Sequence, residues 1–184
     1  MVKKATKLKA IEKPALLKLD LGCGKNKREG FHGVDSRAFD KVDTVADLTK
    51  KWPWDDASVE EVHCSHMVEH LTAEQRIHFV NELYRVLIVG GKATIIVPHW
   101  ASNRAYGDLT HQWPPVSEMW FYYLDPKWRE VNAPHNDQYT CDFNVTWGYL
   151  LHPEITVRSQ EYQQHALQFW KEAAQDMVAT FTKR

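Results

Sequence analysis

At 184 residues the chain has room for one hydrophobic core and not for two ordinary domains. Hydrophobic residues make up 43%, charged residues 26% and aromatic residues 12%, with eight Trp, which excludes a disordered or fibrous chain. Twenty-three Lys and Arg against 24 Asp and Glu leave no global field to draw the protein to nucleic acid or an anionic membrane.

Cys23, Cys64 and Cys141 are odd in number and widely spaced, so they give neither a disulfide framework nor a paired-cysteine metal site and point to a reducing cytoplasm. No apolar run is long enough to span a bilayer, and the N-terminus lacks the apolar stretch of a signal peptide. The expectation is a soluble, cytoplasmic protein with no membrane partner.

Residues 1–13 hold Lys3, Lys4, Lys7, Lys9 and Lys13 against the single acid Glu12 and read as a flexible basic tail, leaving 14–184 as a single domain. Leu16, Leu17, Leu19 and Leu21 then form a short apolar run ending at Gly22, the pattern of a buried parallel strand. Further strand candidates are Gly33–Asp35, Thr44–Ala46, Val59–Cys64 and Lys92–Val97. Between the last two, Thr72 and Gln75 make a capping-box pattern, and Ile77, Val80, Leu83, Tyr84 and Leu87 recur at helical spacing until Gly90-Gly91. This is an α/β unit with a parallel crossover. From His99 to about Asn136 the chain is crowded with Trp, Tyr, His and Pro without periodicity; segment 99–136 reads as a substrate-side insertion or lid. Tyr139–Leu150 looks strand-like, Glu161–Gln175 helical, and Met177–Thr182 like a closing edge strand.

In an open parallel sheet, ligands bind beyond the carboxyl ends of strands, where the winding direction switches. Gly22 and Gly24 follow the first candidate strand, Asp35 the second, Asp47 the third, and Ser65 with His66 the fourth. Glycines let backbone approach a ligand closely, and an acid ending the second strand suits a ribose diol, which together suggest an adenosine-type ligand. A dinucleotide site would need a third glycine, a full helix for the pyrophosphate and an acid about 20 residues on. Here Lys25-Asn26-Lys27-Arg28-Glu29 follows Gly24 and Asp35 comes too early, leaving room for a turn and hardly for a helix. S-adenosylmethionine, which has no pyrophosphate, fits that truncation better.

The ordered runs Leu19-Asp20-Leu21-Gly22-Cys23-Gly24, Gly33-Val34-Asp35-Ser36, Val45-Ala46-Asp47-Leu48, Val62 to Leu71, and Glu82 to Leu87 with Gly90-Gly91-Lys92 resemble the successive motifs of class I S-adenosylmethionine-dependent methyltransferases, particularly small members with a shortened glycine loop. The resemblance runs from about Leu16 to Pro98. It implies a Rossmann-like, doubly wound, mostly parallel seven-stranded sheet with an antiparallel final strand. It also implies that Asp20, Gly22, Cys23 and Gly24 surround the methionyl part of the cofactor, with Lys25 or Asn26 substituting where the loop is short. Asp35 with Ser36 would bind the ribose, Asp47 and Leu48 would meet the adenine, and Ser65 and His66 would line the floor near the sulfonium.

Several signals compete. His66-Met67-Val68-Glu69-His70 matches the inverted zinc-protease pattern, which would make a zinc hydrolase of His66, Glu69 and His70, but that pattern belongs on a helix and here follows a strand. The thiol of Cys23 reads as a small packing residue rather than a nucleophile, because no base is identifiable beside it. Asp108 and His111, just beyond the fifth strand, are the candidate catalytic pair for removing a proton from an acceptor, weighed against a role in ordering a lid. A metal cluster of His99, Asp108, His111 and His135 is a minority alternative, and no metal is assigned. The expected activity is in-line transfer of a methyl group from S-adenosylmethionine to an acceptor, a small molecule by preference, with nucleic acid left open through stacking on aromatics. A non-catalytic S-adenosylmethionine or S-adenosylhomocysteine binding module is the alternative from a different class.

Overall fold

In the computed structural model, which describes residues 15–184, the leucine run forms β1 (Leu17–Leu21), followed by β2 (His32–Asp35), β3 (Thr44–Val45) and β4 (Val59–Ser65). The basic tail expected over 1–13 lies outside the described residues. After a 3-10 turn at Val68–His70 come α1 (Ala73–Val86) and β5 (Leu87–Pro98). The crossover beyond β5 holds three short helices, α2 (Arg104–Gly107), α3 (Glu118–Tyr122) and α4 (Pro126–Asn132), where the sequence shows no periodicity. The chain closes with β6 (Phe143–Leu151), α5 (Pro153–Thr156), α6 (Gln160–Phe169) and β7 (Ala174–Lys183).

The strands make one seven-stranded sheet in the order β3-β2-β1-β4-β5-β7-β6, parallel from β3 through β5 and antiparallel where β7 pairs with β5 and β6. The winding therefore reverses between β1 and β4, and the crevice at their carboxyl ends is where a ligand belongs. Three expectations are corrected. Met177–Thr182 is not at an edge: β7 inserts between β5 and β6, and β6 is the edge strand. The helix expected over 161–175 stops at Phe169, because Ala174 and Gln175 are already in β7, where Ala174 pairs with Leu151. Gly90-Gly91 likewise does not end α1, which stops at Val86; the two glycines lie inside β5, where Gly90 takes φ +78° and the register with β4 shifts.

The capping box of α1 forms as its sequence dictates: Thr72 accepts from the Gln75 N–H, and the Gln75 side chain accepts from the Thr72 N–H. Phe79, Val80, Leu83 and Val86 recur at helical spacing and bury against Leu19, Leu21, Val62, Cys64, Ile95 and Val97 of the sheet. On the strands these apolar residues alternate with half-buried or exposed Lys18, Glu61, His63, Lys92 and Thr94, so the two faces of the sheet differ in polarity. The connections 22–31, 36–43 and 46–58 contain no helix. The last is held by Trp52, buried against Phe79, with its indole N–H on the Leu48 carbonyl and its backbone N–H on Glu82. No described helix is long and apolar enough to cross a membrane.

The crossover after β5 is anchored in its second half, where Val116, Phe121 and Leu124 are buried, while Leu109 and Trp113 lie exposed in its first half. Glu118 ties α3 to the sheet: it accepts from Trp100 Nε1 (2.9 Å) and Tyr149 Oη (3.0 Å), and His99 Nε2 stands 3.2 Å away. Burial alone would raise this carboxyl, but the bonds from His99, its own N–H and Tyr149 outweigh burial and hold it at about 2. A depressed carboxylate contributes stability that is present above the unfolded value of about 4.3 and lost as pH falls toward the folded one. Glu118→Gln is therefore expected to cost about 2 kcal/mol at pH 7. Its unfolding free energy should also fall less steeply than that of the parent between pH 5 and pH 2, measured by urea titration at each pH.

Candidate functional site

The site is built at the carboxyl ends of β1, β2, β3 and β4. Gly22 (φ +71°) and Gly24 (φ +53°) turn the chain in the left-handed region that glycine adopts without strain. A Cβ on Gly22 would stand 2.7 Å from Met67 Cγ, so the backbone here passes directly under the β4 turn. The ten residues after β1 return to β2 without a helix, as the early arrival of Asp35 implies, and side chains do the bracing. Asp20, 3% exposed, accepts from the Arg28 N–H at 2.7 Å, and His63 Nδ1 lies 2.9 Å from its other oxygen. Asp43 accepts from the Gly33 N–H and from Lys27.

Asp35 takes the Gly24 N–H on Oδ2 (2.9 Å) and the Arg37 N–H on Oδ1 (3.0 Å), which fixes its carboxylate at the wall of a cavity of about 280 Å³. Gly22, Ser36, Asp47 and Leu48 line the same cavity, with Met67 and His70 opposite. Asp47 sits at the rim, its carboxylate held low by the hydroxyl and N–H of Thr49 and by Lys50. Not every expected residue meets the cavity. The Cys23 thiol is buried against Gly33, and burial pushes it up, as a packing residue requires. Lys25 is exposed, its ammonium 5.8 Å from the centre of the Phe39 ring. Ser65 is half-buried at the end of β4 and is not part of the cavity wall.

His66 faces elsewhere. It follows β4 at φ +53°, an uncommon backbone for a non-glycine residue, and lines an open groove of about 710 Å³ with Pro98, Arg104, Gly107, Asp108, Leu109 and His111. The candidate pair Asp108 and His111 thus shares one groove with His66. Asp108 is exposed and accepts from the Thr110 N–H and hydroxyl, while His111 Nδ1 bonds the Ala105 carbonyl at 3.2 Å. His66 is flanked by two buried carboxylates, Glu69 (3.2 Å) and Asp176 (3.9 Å), and Arg104 bonds Asp176 at 2.7 Å. The Glu69 carboxylate beside it raises the His66 imidazole above its ordinary range, against burial.

The His66-to-His70 run does not make the protease helix: only Val68–His70 coil, in a single 3-10 turn, with His66 outside it. Nor does His99 join a metal cluster with Asp108; it bonds Glu118 instead. Sequence reasoning missed Asp176, Arg104 and Arg76. Asp176 interrupts the alternation of β7 and gives no local signal, but Arg76 is a charge at a core-facing position of α1, between Thr72 and Phe79, and that spacing could have exposed it.

A family model described as a methyltransferase domain matches residues 25–95, from just past the glycine turn into β5. Among curated proteins the sequence finds no match. Among solved structures, the chain resembles a SAM dependent methyltransferase from Archaeoglobus fulgidus at 19% identity and TM-score 0.66, covering 92% of this chain and 87% of that one. It resembles geranyl diphosphate C-methyltransferase from Streptomyces coelicolor A3(2), crystallised with Mg2+, geranyl diphosphate and S-adenosyl-L-homocysteine, at 14% identity and TM-score 0.57, covering 93% and 73%. The methyltransferase domain of a bacterial Hen1 gives 14% identity and TM-score 0.52, covering 90% and 89%. The domain match over residues 25–95 and the sheet order together give the chain the fold of the class I S-adenosylmethionine-dependent methyltransferases.

Proposed function

We propose that the chain transfers a methyl group from S-adenosylmethionine, bound in the cavity between Gly22 and His70, to a small-molecule acceptor entering through the groove of His66, Asp108 and His111. The observation that carries this reading is the Asp35 carboxylate, held by the Gly24 and Arg37 N–H groups at the wall of a cavity at the sheet's switch point. Asp35 and Ser36 would take the ribose hydroxyls, Asp47 and Leu48 the adenine edge. The backbone of Gly22 and Gly24 would approach the methionyl end, with Asp20 acting through the loop it braces. Met67 and His70 line this cavity, and His66, on the same turn after β4, lines the proposed acceptor groove.

The transfer itself needs little from the protein. An acceptor lone pair forms the new bond to the methyl carbon as the C–S pair returns to sulfur, and the acceptor proton leaves to solvent or a nearby base. Alignment and exclusion of water supply the rate. The exposed first half of the 99–136 crossover, with a second hollow lined by Trp100, Tyr106, Phe169 and Trp170, offers apolar surface for an acceptor with a planar or hydrocarbon part. Titration calorimetry tests the reading: S-adenosylmethionine and S-adenosylhomocysteine are expected to bind with Kd of about 100 µM or tighter. Absence of binding by both at millimolar concentration would reject the assignment of the cavity.

A further inference from the structure

We propose that Glu69, His70 and His111 form a site for one divalent transition-metal ion, zinc being the best-matched, at the boundary between the cofactor cavity and the acceptor groove. Each of the three offers a donor atom, and these atoms lie within 4.8 Å of one another. His70 lines the cavity and His111 the groove, so an ion between them would touch both.

The buried carboxylate is the first observation. Glu69 is 4% exposed, and neither of its oxygens has a hydrogen-bond partner. An ionised carboxylate buried without donors costs several kcal/mol unless a cation compensates it. His66 Nδ1 stands 3.2 Å from one of its oxygens without hydrogen-bond alignment and is itself 44% exposed, and Arg76 spends its guanidinium on four backbone carbonyls instead.

The second observation is how the two imidazoles are held. The Ala105 carbonyl can only accept, so His111 Nδ1 carries the proton and Nε2 carries the free lone pair. The Thr110 hydroxyl donates to Asp108 at 2.7 Å and so accepts from His70 Nδ1 at 2.9 Å, which again leaves Nε2 as the free donor atom. Carboxylate-to-hydroxyl-to-imidazole and carbonyl-to-imidazole contacts of this kind orient metal-bound histidines and set their tautomer. The rings stand edge to face, 4.7 Å between centres. The pieces are also locked together, since the Gln112 N–H donates to the Glu69 carbonyl at 2.8 Å and Arg76 bonds the Glu69 and Gln112 carbonyls. Two imidazoles and one carboxylate suit zinc, whose bonds of about 2.1 Å place ligand atoms ~3.4 Å apart in a tetrahedron; side-chain rotation of about an ångström closes the cluster to that size. The fourth position would be open to water or an acceptor oxygen.

The site stands independently of methyl transfer, so its test uses the metal-stripped full chain without S-adenosylmethionine. Calorimetry with Zn2+ is expected to show one ion per chain at Kd of about 1 µM or tighter, and Co2+ to give a visible absorption band of a low-coordinate site. His111→Ala is expected to weaken Zn2+ binding at least ~100-fold while keeping its circular dichroism spectrum, and Thr110→Val about 10-fold through the lost outer contact. His135→Ala, an exposed histidine outside the cluster, is expected to change nothing. Retained affinity in His111→Ala, or no Zn2+ binding at 100-fold higher concentration, overturns the proposal. Glu69→Gln, which keeps shape and removes charge, provides a second variant with the same expected loss.

Discussion

Replacing Arg76 by methionine is expected to lower the stability of the fold by about 3–5 kcal/mol, although methionine matches the length of the side chain and suits a helix. Arg76 is 5% exposed and lies on the buried face of α1. Its guanidinium donates to the carbonyls of Val68 and Glu69 in the 3-10 turn and to those of Gln112 and Pro114 in the crossover. The Val68 and Glu69 carbonyls keep backbone donors from Leu71 and Gln112, but methionine would take from the Gln112 and Pro114 carbonyls the donor that Arg76 supplies, at about 1–3 kcal/mol for each that water cannot reach. It would also remove a buried positive charge that interacts with the Glu69 carboxylate. For a chain of this size the loss corresponds to a melting point roughly 10 °C lower. Chemical and thermal denaturation check it, and a loss under 1 kcal/mol would show that the crossover holds to the turn without its arginine. The consequence reaches the site, because Arg76 keeps His111 beside Glu69 and His70.

The sheet was legible because each parallel strand carries its own short apolar run and ends on a turn residue: Leu21 before Gly22, Val34 before Asp35, Cys64 before Ser65. The gathering of the candidate residues at one cavity was legible for the same reason. Gly22, Asp35 and Asp47 follow strand ends, and the fold brings strand ends together whatever lies between them. The order of the last two strands was not readable, since β6 and β7 differ in position by pairing across a long connection and not by local pattern. Nor was the division of labour among the acids. Asp20, Asp35 and Asp43 look alike in sequence, yet Asp20 and Asp43 brace the loop from behind and Asp35 alone reaches the cavity. Around the groove, His66, Glu69, Asp108 and His111 were found as residue types, but Arg104 lies in a crossover with no periodicity and Asp176 on a strand more than 100 residues from His66, so their meeting had no local signal.

Asp35→Ala is expected to weaken S-adenosylmethionine binding about 100-fold, the loss of two charge-assisted hydrogen bonds to the ribose, each worth about 1.5–3 kcal/mol and not fully additive. The same substitution also frees the Gly24 and Arg37 N–H groups, so a weaker affinity alone would not separate a direct contact from a loosened loop. Asp43→Ala separates them. Asp43 braces the same loop through the Gly33 N–H and Lys27 but does not line the cavity. If Asp35 acts by contact, Asp43→Ala lowers the melting point of the free protein and leaves the calorimetric Kd within about three-fold of the parent, under 1 kcal/mol of binding energy. Equal loss of affinity in the two variants would reduce Asp35 to a brace, and the ribose would then have to be held by another group at that wall, of which Ser36 is the nearest in the chain.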